Sequence, residues 1–424
     1  MAVILKSSTK LTKPNSRIMI KTYKVMLHPN NKQATKLFLN ADAARYAYNW
    51  AVAAEQENHK QNKPFIKEFE LRKQFTKFKK TPEYNTKFDA ASNNSMKQGI
   101  RDAIAAYKRF FNGKAKAPRF HSYRNTKPSF YQDPIKIKFT ATHVRIENIA
   151  GTRRKSRERL NWIRLAEKNR IPTNAKYLNP RITFDGLHWW ISVSIELPNN
   201  ALNTNTTSGI GIGIGIDLGV KELAVLSNGQ VFHNINKSER IRKLKRKERR
   251  LQRSVSRKFK SNNLELTKLN NTLKKGKRYK KTRNITKLQK QLLKLTRRIH
   301  NILQEHIRKV IVEIIKYNPK FIVIEDLAVS NMLKNRSLSK AIQAQKFGIF
   351  KRIIVEKSQE HHINLIIANR WYPSSKTCCK CGNIKHNLKL TDRVYKCQNC
   401  GNKIDRDLQA AINLKTYGER LFSN

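Results

Sequence analysis

Acidic residues are scarce in this chain: 29 Asp and Glu stand against 89 Lys and Arg in 424 residues, a formal charge of +60. A compact protein tolerates such self-repulsion poorly without a polyanion to neutralise it, so nucleic acid is the natural partner, bound in a strongly salt-dependent way. An anionic membrane surface answers the charge less well, because the basic helices lack a broad apolar face carrying Trp or Phe. No apolar run approaches the roughly 18 residues of a membrane-spanning helix, and MAVIL before Lys6 is too short for a signal sequence. The expectation is a cytoplasmic, nucleoid-associated protein with no membrane partner. Cysteine is nearly absent as well: all five lie between Cys378 and Cys400. A disulfide framework would be spread along the chain, so the clustering points to a metal site in a reducing compartment. The length allows a substantial core divided among two or three domains.

The pattern along the chain begins with a strand at 21–27, closed by Pro29. Leu37, Phe38, Ala41, Ala44, Tyr48 and Val52 then recur at helical spacing, and a second helix over 92–111 stops at Asn112-Gly113. The stretch KAKAPRFHSYRNTKPSF interleaves Arg119 and Arg124 with Phe120 and Tyr123, which suits backbone contact combined with base stacking. Strands are expected at 135–139, at 143–146 and across 181–197, the last turning at Asp185-Gly186 and all in an antiparallel sheet or small barrel. Residues 199–208 are polar and rich in Thr and Asn, which marks a linker. The following Gly-Ile alternation to Ile216 reads as a strand whose glycines let neighbours approach. Residues 237–317 form long basic helices with narrow apolar seams, and Lys274-Lys275-Gly276-Lys277 occupies the connecting turn. Such a hairpin fits nucleic acid along its side, with Lys245, Arg249, Lys275 and Lys277 as candidate contacts.

Two constellations carry chemistry. Cys378-x-x-Cys381 and Cys397-x-x-Cys400 have zinc-ribbon spacing, and four thiolates close a structural Zn²⁺ site; Cys379 is left over as a free thiol. Gly382 and Gly401 each follow a pair by one residue and provide permissive backbone. The second constellation is acidic: Asp217 in GIGIDLG, Glu325 in FIVIEDL, and Asp405 and Asp407 in IDRDLQAAINL. Each alone is explained by a turn, an ion pair or a helix cap. Together, at strand ends of so basic a protein, they suit Mg²⁺ or Mn²⁺ ions on a phosphodiester.

The stretches KTYKVMLHPN, RYAYNWAV, YKRFFNGKAKAPRF, GIDLGVKELAVLSNG, VIEDLAVSNMLKNRSLSKAI, WYPSSKTCCKCG and CGNKIDRDLQAAINL give nearly the whole chain from Lys21 onward a resemblance. It resembles the TnpB/OrfB family, RNA-guided endonucleases encoded by bacterial insertion sequences and similar to compact type V CRISPR effectors. The resemblance implies an α/β plus α+β chain: an RNase H-like (RuvC) nuclease domain with a zinc-ribbon insert, preceded by a β-barrel with a helical recognition insertion. On that basis 1–30 hold the tail and first barrel strand, 31–115 the recognition segment, 116–200 the rest of the barrel and 201–208 a linker. The nuclease would span 209–374, the zinc ribbon 375–402 and the last nuclease segment 403–424. By motif position Asp217, Glu325 and Asp407 would be the catalytic acids, with Asp405 as the alternative third. Tyr48 and Asn49, in RYAYNWAV, join the candidate nucleic-acid contacts. The implied partners are a guide RNA from the transposon end and double-stranded target DNA, engaged by a monomer. The alternatives are a nuclease-inactive RNA-guided repressor, which would lose the acids this chain keeps, and a strand-joining transposase accessory protein.

Overall fold

A computed structural model describes residues 3–4, 19–123, 126–147, 149, 160–197, 211–262, 281–388 and 392–422. The linker at 201–208, Arg124, and the turn bearing Lys275 and Lys277 lie outside these residues. A short first strand, β1 (Val3–Ile4), belongs to a unit made of Met1–Asn15 and Asn200–Asn424, while Ser16–Asn199 form a second unit.

In the Ser16–Asn199 unit, β2 (Met19–His28) leads into helix α1 (Asn31–Lys60). The helix starts at Asn30 in a capping box: Asn30 Oδ1 accepts from the Gln33 N–H at 2.8 Å, and Gln33 Oε1 accepts from the Asn30 N–H at 2.9 Å. Helices α2 (Glu68–Phe78) and α3 (Asn93–Phe111) follow, and α3 ends at Asn112 before Gly113 at φ +67°. Small residues draw α1 and α3 together: a Cβ on Gly99 would meet the Ala44 carbonyl oxygen at 2.4 Å. Strands β3 (Ser129–Tyr131), β4 (Lys138–Phe139), β5 (His143–Arg145), β6 (Trp162–Leu165), β7 (Tyr177–Phe184) and β8 (Trp189–Leu197) join β2 in an antiparallel sheet ordered β3-β7-β8-β2-β6-β5-β4. Edge residues Phe130 and Phe139 bury in the same core as Val25, Ile191 and Val193. The expected strand over 135–139 is shorter than its apolar alternation suggests. Asp133 Oδ1 accepts from the Ile135 N–H at 2.9 Å and turns the chain, which leaves Ile135 exposed and pairing only at Lys138–Phe139.

The other unit contains β9 (Ile214–Asp217), β10 (Glu222–Leu226) and β11 (Val231–His233), then the basic helices α4 (Glu239–Ser261) and α5 (Arg283–Lys316). It continues with β12 (Phe321–Glu325), α6 (Val329–Met332), α7 (Ser339–Gln345), α8 (Phe347–Glu360), β13 (Asn364–Ala368), the hairpin β14 (Val394–Lys396) and β15 (Lys403–Asp405), and α9 (Arg406–Phe422). The main sheet runs β1-β13-β12-β9-β10-β11; β9, β12 and β13 are parallel, and β10 returns antiparallel beside β9. Helices cover both faces, so β12 and β13 are continuous apolar runs. Ile322 and Ile324 pack toward α5 and α8, whereas Phe321 and Val323 pack with Leu414 of α9.

In the described part of the Gly-Ile run, from Gly211, the strand begins at Ile214; Gly211 makes a single bridge to Pro319 and Ile212 is exposed. Its glycines serve contact rather than pairing. A Cβ on Gly213 would meet the Phe321 ring at 2.0 Å, and one on Gly215 would meet the Ala411 carbonyl oxygen at 2.0 Å. On the opposite side of the contact, a Cβ on Gly418 would lie 2.4 Å from the same Phe321 ring. Helix α9 therefore rests directly on the sheet backbone.

Gly215→Ala is expected to destabilise this unit by about 3 kcal/mol, because backbone rather than a flexible side-chain end must yield. Gly348→Ala, in α8 with nothing within 4 Å and no positive φ, is expected to stabilise by about 0.4–1 kcal/mol. Thermal melts of the two variants check both signs.

Candidate nuclease and metal sites

Asp217 and Glu325 are the last residues of adjacent parallel strands, one position beyond the Ile216–Ile324 pair. The register therefore delivers both carboxylates to the same sheet edge, the C-terminal ends where open α/β sheets place ligands. Asp407 arrives from the first turn of α9, which the Gly215 contact seats on β9. Burial pushes the Asp217 carboxyl well above the usual carboxylate range, and the negative charges of Glu325 and then Asp407 push it further. Glu325 is also raised by burial, against which the Ser374 hydroxyl donates to Glu325 Oε1. Arg406 reaches Asp407 Oδ1 at 3.4 Å.

Asp405 has a different place. Its exposed side chain caps α9, accepting from the Asp407 N–H at 2.9 Å and the Leu408 N–H at 3.1 Å. It follows Glu325 and Asp407 among the charges acting on Asp217. The three acids are electrostatic neighbours, yet among the described residues the only His, Cys, Asp or Glu group drawn close enough to hold one ion is the cysteine set.

Supporting residues give weaker signals in the sequence. Asn413, buried in α9, donates to the Ser374 carbonyl at 2.7 Å and the Thr377 carbonyl at 2.7 Å, bracing the loop whose Ser374 holds Glu325. Asp326 beside Glu325 takes Arg370 at 2.7 Å and Lys351 at 3.0 Å. Polar residues in the PSS and AAINL stretches mark these positions only in retrospect, because their partners are distant in sequence.

The sulfurs of Cys378, Cys381, Cys397 and Cys400 all lie within 4.8 Å of one another, with Cys378–Cys400 and Cys381–Cys397 each at 3.6 Å. Tetrahedral Zn–S bonds of about 2.3 Å require sulfurs roughly 3.8 Å apart, so the set fits one zinc. Gly382 and Gly401 adopt φ of +74° and +68°, the left-handed turn after each pair. Backbone N–H groups of Cys400 and Asn399 help lower the Cys397 thiol, whereas contact with the Cys381 and Cys378 sulfurs raises the Cys400 thiol, so without a cation the four cannot all be thiolates at once. Cys379 stands outside the set, its sulfur accepting from Asn402 Nδ2 at 3.5 Å.

The candidate nucleic-acid contacts divide in two. Phe120 and Tyr123 are 55% and 63% exposed, and Arg119 and Arg249 are exposed as well. Tyr48 is buried, one ring face stacked on His121 with centroids 3.8 Å apart. Asn49 exchanges two hydrogen bonds with the His121 backbone at 2.9 and 2.7 Å, so this pair braces the basic loop. Half-buried Lys245 donates to Asn236 Oδ1 at 2.9 Å.

Cys397→Ser is expected to lose zinc and lower the melting temperature of the full-length protein, whereas Cys379→Ser keeps one zinc per chain. Metal analysis of protein purified without chelator checks both, and a zinc-free wild type would refute the site.

Three family models match successive stretches of the chain. A Helix-turn-helix domain of IS605 OrfB proteins matches 19–64, a Probable transposase model of the same proteins 192–336, and a Cas12f1-like TNB domain 347–414. The first covers a strand and one long helix here, β2 and α1. A Streptomyces pristinaespiralis protein described as "Putative RNA-guided DNA endonuclease" is 25% identical over 94% of this chain and 89% of its own. Escherichia coli K12 InsQ, described in the same words, is 25% identical over 95% of this chain and 94% of its own. A TnpB-like protein of Acanthamoeba polyphaga mimivirus is 28% identical over 31% of this chain and 26% of its own. A Cas12f1 chain solved with guide RNA and target DNA aligns over 94% of this chain and 99% of its own, with 13% identity and a TM-score of 0.49. Two models of IS605 OrfB proteins and one Cas12f1-like model thus match successive stretches from Met19 to Leu414, and the chain is similar to the TnpB/OrfB family.

Proposed function

We propose that this protein is an RNA-guided, divalent-metal-dependent DNA endonuclease encoded by an insertion sequence, cutting DNA complementary to its guide beside a short adjacent motif. The observation that carries the reading is the convergence of Asp217, Glu325 and Asp407 at one sheet edge, with Asp217 held above its usual range by burial and by the other two. In a protein with three times as many bases as acids, this concentration of negative charge favours a bound cation. Relatives similar over nine-tenths of the chain carry the same functional description.

The strand order β11-β10-β9-β12-β13, with β10 antiparallel, supports an RNase H-like assignment of the RuvC type. The common core of Phe130 and Phe139 from opposite edges supports a barrel for the Ser16–Asn199 unit. Mg²⁺ or Mn²⁺ would offset the mutual repulsion of Asp217, Glu325 and Asp407, draw the three carboxylates in as ligands, and supply charge stabilisation and an activated attacking water for in-line displacement. Ser374 orients the Glu325 carboxylate, and the Asp405 cap sets the start of the helix that carries Asp407. Protons and metal compete for Asp217, so the Mg²⁺ needed for half-maximal cleavage should fall as pH rises from the ordinary carboxylate range. The protein acts as a cytoplasmic, nucleoid-associated monomer on a guide RNA from the transposon end and double-stranded target DNA. Pairing reads the sequence, and the protein holds the heteroduplex by shape and backbone.

Asp217→Ala, Glu325→Ala and Asp407→Ala are each expected to lower cleavage by at least about a hundredfold with target binding largely retained, while Asp405→Ala keeps more activity. A dead Asp405→Ala beside an active Asp407→Ala would reverse the assignment of the third acid. Cleavage should also disappear after RNase treatment and move to a new matching site when the guide segment is changed. Site-specific cutting by RNA-free protein would overturn the guided reading.

A further inference from the structure

Trp371 is 85% exposed, and its indole makes no hydrogen bond or ring contact with any described residue. The other four tryptophans are buried or half-buried. Leaving so large an apolar side chain in water has no packing reason, and the backbone that carries it is firmly held. The Trp371 N–H donates to Asn369 Oδ1 at 2.9 Å, and the Tyr372 N–H to the Asn369 carbonyl at 3.0 Å. On one side Arg370 is pinned to Asp326; on the other the Tyr372 hydroxyl donates to the Asn413 carbonyl at 3.1 Å and Ser374 holds Glu325. An indole presented outward from a loop tied to two successive residues, Glu325 and Asp326, is preorganised for something that arrives at the acids.

We infer that Trp371 is a stacking platform for a base of the single DNA strand entering the carboxylate site, and so positions that strand for cleavage. The inference rests on the nuclease reading above. Ala368 pairs directly with Glu325, and Trp371 lies three residues beyond it. Chain geometry and strand spacing therefore place its Cα within about 16 Å of that of Glu325, a few nucleotides from a phosphate at the acids. Base–aromatic stacking tolerates any sequence because every base offers a π-face. That property suits a site whose substrate sequence changes with each guide.

The test uses full-length protein carrying its RNA, with Trp371→Ala and Trp371→Phe variants. Trp371→Ala should raise KM for single-stranded DNA about tenfold with kcat within about twofold, and Trp371→Phe should restore most of the affinity. Melting temperatures should match wild type, since the side chain is exposed. With Ca²⁺ replacing Mg²⁺, a short oligothymidine should quench the fluorescence component that wild type has and Trp371→Phe lacks. An unchanged KM in Trp371→Ala, or an indole that oligothymidine leaves unquenched, would overturn the inference. So would quenching by an RNA oligomer with DNA KM unaltered, which would assign the residue to the guide. If wild-type protein cuts no DNA at all, the nuclease reading falls, and the quenching measurement still decides whether the indole stacks on the strand.

Discussion

The close seating of helix α9 on strand β9 is the constraint from which the rest of the site follows. Gly215 leaves no room for a side chain between the strand and the Ala411 carbonyl, and Gly418 does the same against Phe321. Helix and sheet meet backbone to backbone, so the first turn of α9 falls beside the end of β9. Asp407 thereby joins Asp217 and Glu325, which are far from it in sequence. Asn413 of the same helix then fixes the loop whose Ser374 orients Glu325. One contact thus sets the third acid directly and the second through the loop.

That arrangement is electrostatically uncomfortable on its own. Three carboxylates share a partly buried edge, and Asp217 answers by holding its proton far more tightly than usual. Stability given up at such a point is characteristic of functional sites. The remainder of the molecule has the opposite imbalance, with 89 bases for 29 acids, so its surface seeks phosphate while its acid edge seeks cation. A metal-assisted enzyme on a polyanion would satisfy both demands, and among the described residues Arg406 beside Asp407 meets only part of the second.

The cysteine cluster contributes by position. Its four sulfurs stand between the Ser374 loop and α9, and the short β14–β15 hairpin ends at Asp405, whose side chain caps α9. Zinc in that cluster would stiffen the connection leading into the helix that carries Asp407. Such an ion would support the acids through the backbone.

Much of this was legible from residue spacing because it depends on neighbours in sequence. The paired cysteines with their following glycines, the Asn112-Gly113 helix stop, the Asp185-Gly186 turn and the apolar seams of α4 and α5 are local patterns, and each has a local physical cause. The carboxylates at the ends of FIVIE and IGID were visible for the same reason. Tertiary structure decided what depends on distant partners. It made Asp405 a helix cap and Asp407 a neighbour of Asp217, two roles that side chains two residues apart at a helix start can exchange. It stacked Tyr48, part of the apolar stripe of α1, on His121 and turned Asn49, its neighbour among the candidate contacts, to the loop backbone. It explained the Gly-Ile run, whose glycines accommodate Asn318, Phe321 and Ala411 from other elements. Composition and periodicity report what a segment prefers; close approach and exposure, as at Gly215 and Trp371, are properties of what the fold puts beside it.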